Sequence, residues 1–467
     1  MRLPRVSILA LALVLAAPVA SAATWSAAAT LKTCAPASDP KVVFPFSTPS
    51  KRSGSGAILW LGGAPSCSGR TAGSATLDSA TLQTDDLPSV PRAIILGQRL
   101  VGPLVAATTA AGQIVAVVGD SESQSDGAPG ALLGEGFAGS PLPRIVPLDG
   151  PARLVATADG YIGDTDVVST TTTSSGEQVI ELREQRHYMT SFANPVALDE
   201  GVEPITALAV SMDFRADSLV LWAQAGEVHA QWITNAGRSF PAQVLGPAGY
   251  APQMAAVLSD NNHAFAMWTD EPPPGVSAET RIYLEHSGNN VRYPSHVSFS
   301  SRPSTLTTFT EPRAQRLTPG SIALVRMTPS EGVLAAWTLV QHGSYVVKVA
   351  SVVATHALPA ATLSQPGADL RLAALATGPN DDAAAVLERA PRSASGFDTA
   401  QQAILAARTI PGGPGGIAFE RPTQLAAAGP NSAPSAAVDP DGDRTVVAWQ
   451  TMVGALPAVA YAVRSRP

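Results

Sequence analysis

The chain has 467 residues, of which 14% are charged, and its formal net charge is −7. This negative charge argues against nucleic acid and anionic membrane surfaces as partners. Glycine (39 residues) and proline (40 residues) are both abundant, a composition that suits many short strands joined by turns better than it suits long helices.

Residues 1–22 are typical of a secretory signal peptide. Arg2 and Arg5 precede an apolar run at 8–17, and Ala-Ser-Ala at 20–22 fits the small-x-small cleavage rule. The run is shorter than the roughly 20 residues that span a bilayer, so we expect cleavage and no membrane span. Loss of both arginines changes the formal charge from −7 to −9. We expect the mature domain, 23–467, to be secreted and extracellular, or periplasmic within the cell envelope.

One recurring stretch predicts the architecture. In its clearest copy, 434–450 (PSAAVDPDGDRTVVAWQ), two short apolar strands flank an Asp-Pro-Asp-Gly turn, the chemistry of a tight antiparallel reversal. The strands are apolar at nearly every position, as expected of strands buried on both faces. Copies recur roughly 45 to 70 residues apart. They end at Trp60, Val118, Val168, Trp222, Trp268, Trp337, Leu387 and Trp449.

A second mark follows most copies and completes a four-stranded unit. It is an aromatic residue, then a proline, then an aliphatic residue, and it starts at Phe192, Phe240, Tyr293 and Phe419, with a looser version at Phe137. Another apolar segment precedes each mark, so each repeat holds about four strands, the content of one propeller blade. The sequence therefore predicts an all-β fold, a single β-propeller of about eight four-stranded blades, with seven as the alternative. Polar stretches such as 169–176 are predicted to be loops.

The two termini predict how the ring closes. After Trp449 the chain offers one further strand, 458–463, and lacks the outer strand of its last blade, whereas Thr24 to Leu31 carries the aromatic and aliphatic residues to supply it. Closure by this N-terminal strand removes an open sheet edge. Cys34 and Cys67 are the two cysteines and are most simply one disulfide near this seam; a free thiol or a metal ligand is the alternative.

Few residues point to chemistry. Asp439, Asp441 and Asp443 have the alternate spacing of calcium ligands, but the later glycine and glutamate of a calcium loop are missing, which favours a turn. Acid pairs such as Glu181 with Glu184 are common surface features. Seven scattered histidines show no paired-ligand spacing; they are His187, His229, His263, His286, His296, His342 and His356. We therefore predict no catalytic, cofactor-binding or metal-binding residues, and no cofactor.

The tryptophans allow two interpretations. Aromatic rings stack on sugars, but a fixed place at the end of the second strand predicts core packing between blades for Trp222, Trp268, Trp337 and Trp449. Trp232 lies off that register and stays open as a binding residue.

The repeats resemble the β-propeller repeats of secreted bacterial proteins and, more distantly, sialidase-type propellers with Asp-box turns (Ser-x-Asp-x-Gly-x-x-Trp). The 437–449 stretch has the Asp, Gly and Trp at longer spacing and without the Ser, and no sialidase catalytic residue can be placed on this chain. The resemblance specifies no activity. We expect an exported non-catalytic β-propeller, a monomer that binds an unknown protein or glycan or serves as a scaffold. The alternative is a glycan-active hydrolase or lyase. Convergent Arg, Glu, Asp and Tyr side chains at the mouth of the central channel would favour the enzyme, whereas a flat, acid-rich or small-residue surface there would favour binding.

Overall fold

The structure is a computed structural model. It describes residues 24–31, 36–44, 56–62, 75–82, 88–89, 92–98, 100–108, 113–120, 130–137, 144–148, 155–159, 164–186, 191–259, 263–273, 276, 278–287, 299, 303–310, 321–327, 332–353, 356–378, 382–391, 397–410, 417–439 and 444–465. The predicted signal peptide and both cysteines lie outside these residues, so cleavage and the disulfide stay predictions.

Within the described residues, 34 strands form eight antiparallel sheets, the blades of one propeller. Blade 1 contains β2 (Ala37–Val43), β3 (Gly56–Gly62), β4 (Ala75–Leu82) and β5 (Arg92–Gln98), and blade 2 contains β6 (Leu100–Thr108), β7 (Gln113–Asp120), β8 (Gly130–Phe137) and β9 (Arg144–Leu148). Blade 3 contains β10 (Val155–Asp159), β11 (Thr165–Thr172), β12 (Gln178–Gln185) and β13 (Val196–Gly201). Blade 4 contains β14 (Ile205–Met212), β15 (Ser218–Gln224), β16 (Glu227–Ile233) and β17 (Gln243–Pro247).

Blade 5 contains β18 (Met254–Leu258), β19 (Ala264–Asp270), β20 (Glu279–His286) and β21 (Ser304–Thr310), and blade 6 contains β22 (Ile322–Arg326), β23 (Val333–Gln341), β24 (Ser344–Val353), β25 (His356–Ala357) and β26 (Ala361–Leu363). Blade 7 contains β27 (Ala368–Thr377), β28 (Ala383–Pro391), β29 (Gln402–Ile410), β30 (Ala418–Phe419) and β31 (Thr423–Gly429). Blade 8 contains β32 (Ser432–Val438), β33 (Arg444–Val453), β34 (Leu456–Ser465) and β1 (Ala29–Thr30). In blades 6 and 7 two short strands share the outer position.

The first strand of each blade lies against the first strand of the next, and β32 lies against β2, so the first strands form the closed inner ring. This arrangement explains the apolar second strands. In β3, Ala57, Leu59 and Leu61 pack against blade 2, whereas Ile58 and Trp60 pack against blade 8. A second strand is therefore buried between two neighbours and has no solvent face. Eight blades are confirmed, and the seven-bladed alternative is wrong.

All eight predicted repeat ends lie in second strands. The tryptophans at these positions are buried, as predicted; they are Trp60, Trp222, Trp268, Trp337 and Trp449. Trp232, kept open above as a binding residue, is also buried and packs in the core between blades 4 and 5. Aromatic burial between blades thus accounts for all six side chains.

Hydrogen bonds between first strands, in addition to apolar packing, join neighbouring blades. The N–H of Val42 in blade 1 donates to Ser435 Oγ in blade 8 at 3.0 Å. The N–H of Leu258 in blade 5 donates to Ser211 Oγ in blade 4 at 2.9 Å. Each bond satisfies a main-chain donor of the inner ring with a short side chain of the preceding blade.

The predicted closure by the N-terminal strand is confirmed. β1 pairs antiparallel with β34. The N–H of Ser26 donates to the carbonyl oxygen of Val463 (2.7 Å), and the N–H of Leu31 donates to that of Val459 (2.9 Å). The last blade thereby gains its fourth strand from the other terminus, and its edge is paired.

Two local predictions need comment. The predicted loop at 169–176 is wrong in its first half, because β11 continues to Thr172 and pairs with β12; its consecutive threonines are polar but β-branched and suit a strand. The aromatic-proline mark at Tyr293 lies outside the described residues, and β21 takes the outer position in blade 5. No helix among the described residues is long and apolar enough to cross a membrane.

Candidate functional site

The propeller has two faces with different connections. The first face carries the turns between first and second strands and between third and fourth strands; we call it the turn face. The other carries the turns between second and third strands and the connections from one blade to the next; we call it the connection face. Functional side chains of a propeller lie on one of these faces or in the channel that the inner ring surrounds.

Small side chains are frequent in the first strands of the blades. Six half-buried alanines there pack against the clusters between blades; they are Ala106, Ala209, Ala255, Ala323, Ala374 and Ala436. The first strands also carry half-buried charged residues, among them Asp39 and Lys41 of β2, which form an ion pair at 2.7 Å. The carboxylate of Asp39 also accepts the N–H of Leu104 in blade 2 at 2.7 Å, so this pair joins blade 1 to blade 2.

The connection from blade 4 to blade 5 presents an exposed tyrosine from a firmly held backbone. The N–H of Tyr250 donates to the carbonyl oxygen of Glu271 (3.0 Å), and the N–H of Ala248 donates to that of Gly226 (2.8 Å). The Tyr250 residue is nevertheless 58% exposed. An aromatic side chain on a fixed backbone loses little conformational entropy when a partner covers it.

Gly249 shows how closely this connection approaches blade 5. A Cβ at this position would overlap the main-chain nitrogen and oxygen of Glu271, so the contact requires a residue without a side chain. On the same connection, the indole N–H of the buried Trp268 donates to the carbonyl oxygen of Pro247 at 2.9 Å. The loop is therefore fastened on both sides of Tyr250.

Hydrogen bonds also link this connection to the previous one. Gln224 Nε2 donates to the carbonyl oxygen of Glu203 at 3.0 Å, and Gly226 in the same turn accepts from Ala248. The segments 200–205, 224–227, 247–254 and 270–281 thus form one continuous surface from blade 3 to blade 5. We call the described residues of these segments the blade 3–5 rim.

Apolar and acidic side chains alternate on the rim. Val202 is 76% exposed and Val276 is 48% exposed, on either side of Tyr250. Around them stand one guanidinium, that of Arg281, and five carboxylates that reach solvent: Glu200, Glu203, Glu227, Asp270 and Glu279. The carboxylate of Glu271 is buried and accepts from Thr269 Oγ1 at 3.1 Å. The rim therefore combines exposed apolar area with a strong excess of negative charge.

Arg281 is already engaged with two of these acids. Its guanidinium lies 3.4 Å from Glu279 Oε2 and 4.0 Å from Asp270 Oδ2. Partial burial raises the pKa of Asp270, and the charge of Arg281 partly offsets this effect. Glu203 and Glu227 are exposed, and they give the rim its outward negative field.

The turn face of blade 4 presents different charged groups to solvent. Arg215 and Arg238 are exposed there, whereas Asp213 is buried and Asp217 is half-buried. The guanidinium of Arg215 lies 5.1 Å from the centre of the Phe214 ring, and that of Arg238 lies 4.9 Å from that of Phe240, both within cation–π range. The two faces of the same blade therefore favour different partners.

A second group of polar residues converges between blades 6 and 7. The guanidinium carbon of Arg371 lies 4.4 Å from the ring centre of Tyr345 and 4.3 Å from that of Phe397. Glu388 stands opposite Arg371 on the neighbouring strand. Burial raises the pKa of Glu388 to about 7, although the charge of Arg371 acts to lower it. Asp369 accepts the N–H of Tyr345 at 3.0 Å.

This Arg371 cluster has the residue types of an active site but is closed. Arg371 is 3% exposed, Tyr345 is 1% exposed and Glu388 is 7% exposed. Two aromatic rings cover the guanidinium, so a substrate has no surface to approach. The arrangement joins blade 6 to blade 7.

A third group, between blades 3 and 4, is also internal. Asp166 Oδ1 accepts from Arg186 at 2.9 Å and its Oδ2 accepts from Ser218 at 2.5 Å. Arg186 also donates to Glu184 at 2.5 Å. Burial raises the pKa of Asp166 to about 6, against the charge of Arg186. Sequence reasoning noted Glu184 only as a surface acid, because the register that brings Asp166 beside it was not known.

Three of the acids and histidines noted in the sequence, Asp439, His263 and His286, have structural partners. Asp439 is buried and accepts from Arg444 at 2.6 Å across its turn, whereas Asp441 and Asp443 lie outside the described residues. His263 Nδ1 and His286 Nε2 lie 2.9 Å apart, and burial, followed by the charge of His263, lowers the pKa of His286 to about 4. Among the residues that the structure describes, no three or more His, Cys, Asp or Glu are grouped to hold a metal.

Comparisons with known proteins add distant likenesses. No family model and no curated protein matches this chain. A subtype N10 neuraminidase-like protein of A/little yellow-shouldered bat/Guatemala is 7% identical, with 95% of this chain and 98% of that chain covered and a TM-score of 0.36. NanB sialidase from Streptococcus pneumoniae is 8% identical, with 92% and 68% covered and a TM-score of 0.38. A fucose-specific lectin from Aleuria aurantia is 10% identical, with 69% and 94% covered and a TM-score of 0.35. At these values the likenesses carry no function to this chain, and the fold rests on its own sheet topology.

Proposed function

We propose that this protein is an exported, non-catalytic β-propeller that binds a protein or glycan ligand outside the cytoplasm through its blade 3–5 rim. The observation that carries the proposal is Tyr250, an exposed aromatic side chain on a backbone fastened to Gly226 and Glu271. Rigid, exposed aromatic residues flanked by polar groups dominate the energetics of many binding surfaces. The signal-peptide pattern of residues 1–22 supports export.

The non-catalytic part of the proposal rests on where the reactive side chains lie. In the first strand of blade 1, the charged side chains of Asp39 and Lys41 pair with each other, and Asp39 also accepts the N–H of Leu104. The Arg371 cluster and the Asp166 group are enclosed between blades. A hydrolase needs its acid and its nucleophile or base in contact with substrate, and neither group offers such contact.

The test of binding uses an immobilised glycan array and a peptide array with the purified protein. We expect Tyr250→Ala to lose the signals that the unaltered protein gives. Phe214→Ala is the matched control, because Phe214 is an exposed aromatic residue (37%) on the turn face, and it should keep those signals. Equal loss in both variants, or none in Tyr250→Ala, would place binding elsewhere.

The alternative function, a glycan-active hydrolase or lyase, is favoured by one observation, the pairing of Glu388 with Arg371, whose guanidinium lies over the ring of Tyr345. Its test is turnover of a panel of chromogenic glycosides and uronide-containing polysaccharides. We expect none. Turnover that disappears in Glu388→Gln while the variant is at least as stable as the unaltered protein would replace the binding proposal with an enzymatic one.

A further inference from the structure

We infer that the partner of the blade 3–5 rim is a cationic protein segment, in which Lys or Arg side chains alternate with apolar ones. The inference rests on the proposed function, because it names the class of ligand for the same surface. It derives from the charge, the exposed apolar side chains and the fixed backbone of the rim.

The charge of the rim selects against anionic ligands. Five carboxylates that reach solvent stand against the single guanidinium of Arg281 within the described residues of 200–205, 224–227, 247–254 and 270–281. Because Glu203 and Glu227 are exposed, their field extends into solvent over about a Debye length, about 8 Å at physiological ionic strength. An approaching cation is attracted and a sialylated or uronic glycan is repelled.

The apolar side chains select for a protein over a neutral sugar. Val202 and Val276 are 76% and 48% exposed, and an aliphatic side chain offers a sugar hydroxyl no hydrogen bond. A peptide with apolar residues would cover both valines and remove their area from water. The side chain of Lys or Arg suits the remaining surface, because its stem packs on apolar area while its charged end reaches a carboxylate.

Tyr250 suits both features of the partner, its positive charge and its apolar side chains. A phenol ring binds a cation over its face and an aliphatic stem along its edge. Its connection is fastened to the turn of Gly226 and to Glu271, so the partner need not order it. On the turn face of blade 4 the exposed charged residues are Arg215 and Arg238, so this face serves as an internal control.

The experiment measures fluorescence anisotropy of three labelled probes with the full chain: an alternating Arg-Leu peptide, a Glu-Leu peptide of the same length, and a neutral oligosaccharide. We expect the Arg-Leu peptide to bind, the Glu-Leu peptide not to bind, and the dissociation constant to rise with salt. Glu203→Gln and Glu227→Gln should each weaken binding about two- to fivefold, and Tyr250→Ala about tenfold or more. Asp398→Asn, an exposed acid on blade 7, and Phe214→Ala should leave it unchanged.

The outcomes separate the partner class from the binding function. If the neutral oligosaccharide binds and loses affinity in Tyr250→Ala but not in Glu203→Gln, the rim binds a ligand and the cationic partner is wrong. If every probe that binds does so equally well in Tyr250→Ala and Glu203→Gln, the rim is not the site and the proposed function fails as well. Self-association in analytical ultracentrifugation that the rim variants abolish would identify a second copy as the occupant and would also overturn the cationic partner.

Discussion

Glu388 makes the stability of this propeller depend on pH in a direction that can be measured. The carboxyl group is buried between blades 6 and 7, and burial raises its pKa from 4.5 to about 7. Below pH 4.5 the group is protonated in both the folded and the unfolded chain and contributes no pH dependence. Between pH 4.5 and 7 the unfolded chain loses this proton first, so the free energy of unfolding falls as the pH rises.

The size of the effect follows from the shift. Each pKa unit corresponds to about 1.4 kcal/mol, so the folded chain loses about 3 kcal/mol of stability through this group between pH 4.5 and pH 7, and the loss is complete above pH 7. Glu388→Gln keeps the shape of the protonated acid and removes its titration. We therefore expect the variant to match the unaltered protein at pH 4 and to exceed it by about 3 kcal/mol at pH 8.

The assay is urea unfolding of the unaltered protein and of Glu388→Gln at pH 4, 5, 6, 7 and 8. A Glu388→Gln difference that does not grow between pH 4 and pH 8 would refute the reasoning, because it would mean that Glu388 ionises in the folded chain as easily as in the unfolded one.

Three further predictions concern packing and closure. Trp337→Ala should lower the free energy of unfolding by about 3–5 kcal/mol in chemical denaturation, because it empties a buried aromatic position that is 5% exposed. Gly249→Ala should cost about 1–3 kcal/mol, measured in the same way, because the new Cβ overlaps the main chain of Glu271. A variant that begins after Lys32 should melt at a lower temperature and show faster hydrogen exchange at 458–463, because β34 loses its partner β1.

Each of these three predictions has a result that would contradict it, and the glycine substitution has a matched control. Gly429→Ala should change the free energy of unfolding by less than about 0.5 kcal/mol, as surface substitutions usually do; an added Cβ at Gly429 meets only the Asn431 side chain at 3.8 Å. A cost below about 1 kcal/mol for Trp337→Ala would contradict its burial. Stability of Gly249→Ala equal to that of the unaltered protein would contradict the close approach to Glu271. Unchanged exchange at 458–463 would contradict closure through β1.

The sequence predicts the ring well because the second strand of every blade occupies the same environment. A second strand with neighbours on both sides must be apolar on both faces, so Ala57 to Leu61 and Thr445 to Trp449 carry the same signature. The missing outer strand of the last blade likewise shows in the residue order. Residues 169–172 are predicted as a loop but belong to β11, because a polar run that is rich in β-branched threonines fits both a loop and a strand.

The candidate site could not be predicted in the same way. Tyr250 in PAGYAPQ reads like any turn aromatic, and its exposure depends on how Gly249 meets Glu271. The acids of the rim are scattered over 80 residues of sequence (200–281) and share a surface only because alternate connections emerge on one face. The pairing of Arg371 with Glu388 depends on strand register. These are long-range relations, which strand patterns do not encode.

Hydrogen exchange of the full chain, with and without the saturating Arg-Leu peptide, tests most directly whether the blade 3–5 rim is the binding surface. We predict slower exchange at 201–205, 224–227 and 247–254, on the connection face, and no change at 213–217 and 234–238 on the turn face of the same blade. Protection confined to the turn-face segments, or absent from all five, would contradict the assignment of the rim.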